Sequence, residues 1–122
     1  MNETISKDES MRLCLRFFED ALRTVAKQAD SIRDEYENFP GMAWELRQEI
    51  LSGRPLIDWP GISDHQRRLI GNVVDAADAL GDKGARGETW TELLHPSWDA
   101  VRGASLLYLS SIDRLPQELS DD

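Results

Sequence analysis

Between Met11 and Phe39 apolar residues recur at alternating steps of four and three: Met11, Leu15, Phe18, Leu22, Val25, Ala29, Ile32, Tyr36 and Phe39. Steps averaging about 3.5 residues put all nine on one stripe of an α-helix. Just upstream, Ser6-Lys7-Asp8-Glu9 has the form of a capping box, with Ser6 placed to accept from the backbone N–H of Glu9. No Gly or Pro interrupts the stripe before Pro40, so the pattern predicts one long amphipathic helix over 6–39. Such a rod is roughly 45 Å long, whereas a compact chain of this size is only about 35 Å across. A straight rod overhangs its own domain unless the helix bends, the bundle is elongated, or another chain covers the end.

Pro40-Gly41 ends that segment, and 42–52 reads as a second helix closed by Gly53. Met42, Ala43, Leu46 and Ile50 share its main face, while Trp44 and Leu51 fall roughly 150° away. A helix with two apolar stripes is either sandwiched between layers or offers one stripe to a partner. A second capping box, Ser63 with Gln66, opens a third helix over 63–80 with Leu69, Ile70, Val73, Ala77 and Leu80 as its stripe. Gly81 is placed for a left-handed C-terminal turn, and Gly-Asp-Lys-Gly-Ala-Arg-Gly (81–87) reads as a mobile loop.

A last helix over 97–114 stops ahead of Pro116, leaving 116–122 as a frayed tail. Trp98, Val101, Ser105, Tyr108, Leu109 and Ile112 share one face, and Ala100, Ala104 and Leu107 the opposite one. With Gly103-Ala104-Ser105 permitting close approach, this helix is expected at the centre of the fold. No stretch alternates with a period of two for long enough to make a strand. The expected fold is all-α, a single domain over 1–122: a bundle of four to five helices with one long N-terminal amphipathic helix.

Charge narrows the partners. The chain carries 23 acids against 14 bases, a net of −9. Residues 1–61 hold 12 acids and 8 bases, and 62–122 hold 11 and 6, so the excess (−4 and −5) is spread evenly. That field repels phosphate backbones and anionic lipid and steers basic proteins inward. Direct nucleic-acid binding and membrane association are therefore not expected. The lone Cys14, set in an apolar run, suits a buried thiol in a reducing compartment. With no signal-peptide pattern at the N-terminus, a cytoplasmic location is expected.

Candidate chemistry is sparse. His65 lies in the first turn of the third helix and His95 precedes Pro96; no His/Cys grouping has metal-ligand spacing. No phosphate loop or nucleophile elbow is present, and no cofactor is expected. Carboxylates are the exception. Glu45 and Glu49 share a helical face, and Asp75 and Asp78 lie three apart on a later helix. Together they resemble the all-α nucleotide pyrophosphohydrolases of the MazG type, whose Glu-x-x-Glu and Glu-x-x-Asp pairs hold Mg²⁺ between helices. The first pair here is spaced by four, and Asp75 stands where that pattern has glutamate. The resemblance implies an Mg²⁺-dependent, dimeric hydrolase.

Four tryptophans remain to be placed. Trp98 fits a core stripe, and Trp90 sits at a helix start. Trp44 is off the main face of its helix, and Trp59 lies in Arg54-Pro-Leu-Ile-Asp-Trp-Pro-Gly-Ile-Ser63, stiffened by Pro55 and Pro60. A rigid aromatic flanked by Asp58 and Arg54 has the composition of an interface hot spot, and equally of a lid over the core.

The leading functional expectation is a non-enzymatic binding protein that inhibits or sequesters a basic protein. In size and acidity it resembles immunity proteins, antitoxins and anti-defence inhibitors. Trp59, Asp58, Trp44, Arg54 and Leu51 are the candidate contact residues. The pyrophosphohydrolase-like enzyme is the alternative, and a homo-oligomer paired along the long N-terminal helix is a further one.

Overall fold

A computed structural model describes residues 6–27, 29–80 and 85–121, with the side chains of 29 and 113–121 excepted. Five α-helices lie among them: α1 (Lys7–Val25), α2 (Ala29–Tyr36), α3 (Met42–Leu51), α4 (Asp64–Asp78) and α5 (Trp98–Asp121). Two 3₁₀ turns, Arg54–Asp58 and Trp90–Leu94, complete the chain, and no strand occurs among the described residues. The fold is an all-α bundle. Both serine N-caps form: Ser6 Oγ accepts from the Glu9 N–H at 3.1 Å, and Ser63 Oγ from the Gln66 N–H at 3.0 Å.

The single rod over 6–39 is not observed. The apolar stripe is continuous but the helix is cut after Val25, and α2 begins at Ala29. The Ala26 and Lys27 N–H groups turn back to the Leu22 and Thr24 carbonyls at 2.9 and 3.2 Å. In an unbroken helix the Val25 carbonyl accepts from four residues on; here it accepts from Arg102 Nε at 3.0 Å. The same guanidinium donates to the Leu93 carbonyl at 2.9 Å. Arg102 therefore ends α1 from across the bundle, and the break lets Ile32 turn into the shared core rather than overhang it.

Phe18, Leu22 and Val25 of α1, Ala43, Leu46 and Ile50 of α3, and Ile70, Val73 and Ala77 of α4 are buried together with Trp98, Val101 and Tyr108 of α5. Phe18 and Tyr108 meet edge to face at 6.1 Å. Tyr108 Oη donates to Glu19 Oε2 at 2.5 Å and accepts from Gln66 Nε2 at 3.0 Å, tying α5 to α1 and α4. Burial and the Glu19 carboxylate together push this phenol far above its ordinary range. Of the N-terminal seam, Phe18, Leu22, Val25 and Ile32 are buried against their own chain, and Met11, Leu15 and Tyr36 are partly buried beside them.

Three further expectations are corrected. Phe39, placed at the end of the stripe, is 59% exposed because the chain has already left helical register after Tyr36. The last helix packs on α4 and α1 but is not surrounded: Leu107 is 63% exposed, and a Cβ added at Gly103 meets nothing. Among the described residues nothing lies within 4 Å of that added Cβ, whereas Ser105 is fully buried and Ala104 packs on the core. Finally, α5 runs through Pro116 to Asp121 instead of stopping ahead of it. The fixed φ of proline is itself helical, so the helix loses a hydrogen bond there without being forbidden. Gly81 and most of the glycine-rich loop, like Asp122, lie outside the described residues.

Gly53 closes α3 for a different reason from the one expected. Its backbone is right-handed, and Ser52 is the C-cap. A Cβ at Gly53 falls 2.3 Å from the Phe18 ring, so glycine is required by close packing rather than by a left-handed turn.

Candidate functional site

Between α3 and α4, residues 54–58 wind into a 3₁₀ turn with Pro55 in its first turn. Arg67 of α4 holds the turn shut. Its guanidinium donates to the Ile57 carbonyl at 2.7 Å and the Trp59 carbonyl at 3.0 Å, and pairs with Asp64. So pinned, Trp59 is 6% exposed and its indole Nε1 donates to Asp8 Oδ1 at 3.1 Å. Gly61 lies under the ring, where a Cβ falls 2.3 Å from the indole. Trp59 is a core plug. A buried ring held by a carboxylate, a glycine and a clamped backbone has little surface to offer.

The other candidates separate. Asp58 is exposed beside Trp59, on a shallow cavity of about 240 Å³ that Lys7, Met11, Pro55 and Pro60 also line. Trp44 and Leu51 lie on the outward stripe of α3: Trp44 is 50% exposed and Leu51 half-buried. Gly87, at φ +82°, brings the 85–88 segment against the Trp44 Cβ. That segment is fastened by Glu92, whose carboxylate accepts from the Gly87 and Glu88 N–H groups at 2.9 and 3.0 Å. Arg54 is exposed and 4.0 Å from Asp78. The structure thus keeps Trp44 and Leu51 on one stripe, with Arg54 three residues beyond, and places Asp58 with Trp59 beside the start of α1.

The four carboxylates of the hydrolase resemblance do not converge. Asp78 lies 3.8 Å from Arg47, and the same guanidinium donates to the Ala77 and Asp78 carbonyls at 2.9 and 3.1 Å. Asp75 is exposed. Glu49 neighbours Glu45 and Asp20 of α1 instead; its carboxyl is raised above the usual range by burial first and then by those two like charges. Among the described residues no group of three or more His, Cys, Asp or Glu is placed to hold a metal ion.

What the sequence did not reveal is a groove of about 390 Å³ between α1 and α3, lined by Cys14, Phe17, Phe18, Asp20, Glu49 and Ser52. Phe17 stands on its lip at 62% exposure, one turn beyond the exposed Leu13. Cys14 Sγ donates to the Ser52 carbonyl at 3.6 Å, and burial pushes the thiol up, away from reactivity. The available signal was Phe17 itself, a large aromatic off the helix's apolar stripe. No protein-family profile matches the chain, and neither curated proteins nor solved structures supply a match. Among the described residues no helix is long and apolar enough to cross a membrane.

Proposed function

We propose that the protein is an acidic helical binding module that sequesters or inhibits a basic protein, in the manner of an immunity protein, antitoxin or anti-defence inhibitor. One observation carries this reading: a chain of net charge −9 keeps Phe17, Phe39 and Trp44 exposed on a bundle whose core is otherwise filled. An evenly spread negative field steers a cationic partner, and large exposed side chains give the encounter short-range anchors. Trp44, backed by the Glu92-fastened segment and followed by Leu51 and Arg54, replaces Trp59 as the leading anchor. The partner's basic surface is covered in the complex, which suits a nuclease or another nucleic-acid-binding protein. The working compartment is the cytoplasm.

Calorimetric titration into a panel of purified basic nucleases and nucleic-acid-binding proteins, at low and high salt, tests the proposal. A cognate partner binds with affinity that falls steeply with salt, and Trp44→Ala weakens it by about 2 kcal/mol without lowering the melting temperature. Binding that ignores both salt and Trp44 contradicts the reading.

A further inference from the structure

The groove between α1 and α3 has a chemistry of its own. Phe18 and Cys14 give it an apolar floor, Phe17 an exposed aromatic lip, and Asp20 and Glu49 two acidic walls. Arg23, one turn along α1, lies 4.0 Å from Asp20 with its side chain half in solvent. Glu49 has the like charges of Glu45 and Asp20 near it.

An anionic ligand is repelled by these walls, and a purely apolar one strips water from carboxylates without replacing it. A divalent cation lacks the third ligand. A long side chain with an apolar stem and a cationic head satisfies every surface: the stem lies on Phe18 and Cys14, and the head meets both carboxylates. Of the two such side chains, arginine fits better. Its planar guanidinium is weakly hydrated, stacks on an aromatic face and presents several donors in a fork, so it engages Phe17 and bridges Asp20 and Glu49 together. We propose that this groove is the receptor for an arginine side chain of the basic partner. The inference rests on the reading above that the partner is basic, and it adds a second anchoring point away from Trp44.

The probe is an acetylated, amidated peptide with one arginine between leucines, compared with its citrulline counterpart, which keeps the shape and removes the charge. Backbone amide resonances are followed as each is titrated into the full chain. The arginine peptide is expected to shift Cys14, Phe17, Asp20, Glu49 and Ser52, and to bind about tenfold more tightly than the citrulline peptide. Phe17→Ala and Glu49→Gln are each expected to weaken it about threefold to fivefold, with the remaining resonances in place. Equal binding of the two peptides, shifts confined to the Trp44 face, or no shift at millimolar peptide overturns the assignment. Shifts at Trp44 alone remove the groove and leave a basic partner standing; failure of every basic protein to bind removes the partner, while the peptide pair still decides the groove.

Discussion

Replacing Trp59 with alanine separates a structural plug from a contact residue. The ring is almost wholly buried, its N–H is taken by Asp8, and its face rests on Gly61. Truncating a buried tryptophan costs about 3–5 kcal/mol, with the larger values where the surroundings cannot collapse into the hole. Collapse is hindered here, because Pro55 and Pro60 stiffen the backbone and Arg67 holds the carbonyls of Ile57 and Trp59. We therefore expect about 4 kcal/mol. At about 2.1 cal/mol/K per residue the unfolding entropy of this chain is near 0.26 kcal/mol/K, so the melting temperature drops by roughly 15 °C. Trp59→Phe keeps most of the packing and loses the bond to Asp8, and is expected to cost about 1–2 kcal/mol. Urea titration followed by circular dichroism measures both. A Trp59→Ala variant within about 1 kcal/mol of the parent, with the same urea dependence, refutes the plug. At equal folded fraction that variant should also keep the affinity that Trp44→Ala loses.

The hydroxyl of Ser105 is fully buried with no hydrogen-bond partner among the described residues, so Ser105→Ala is expected to stabilise the chain by about 1 kcal/mol in urea titration. Gly53→Ala drives a methyl into the Phe18 ring, and an overpacking cost of about 1–3 kcal/mol should appear as a lower urea midpoint. Arg67→Met keeps the stem and removes the donors to two carbonyls; a loss of about 2–3 kcal/mol is expected, with protease cleavage at 54–63 rising in step. Because Glu49 has its pKa raised on folding, its ionised form opposes folding above that pKa, and the opposition fades as pH falls through it. Glu49→Gln should accordingly be more stable than the parent near neutral pH, with the difference vanishing once both states of the parent are protonated; melts across that range check it.

Local signals in the sequence carried the architecture a long way. The two serine caps, the three-and-four stripe and the lack of any two-residue alternation specify an all-α bundle, since each depends on neighbours within one helical turn. Where α1 stops, what Gly53 does and where Trp59 points were decided elsewhere. Arg102 reaches α1 from the last helix, the Phe18 ring presses on Gly53, and Asp8 meets Trp59 across the molecule. Arg47, Arg67 and Arg102 each donate to backbone carbonyls of segments outside their own helices. A guanidinium fork caps whatever carbonyls the fold brings within reach, and no spacing along the chain announces which.

The candidate site divides in the same way. Acidity and the off-stripe position of Trp44 are properties of composition and helical phase, and both were legible from the residues alone. Phe17, Asp20 and Glu49 come from two helices whose pairing is a tertiary event, so their groove exists only once α1 and α3 have packed. Sequence determines which side of a helix is greasy and where its first turn is capped, because those follow from a fixed rotation per residue. Burial, helix ends closed by remote side chains, and the meeting of carboxylates across helices depend on packing in three dimensions, which only the folded chain supplies.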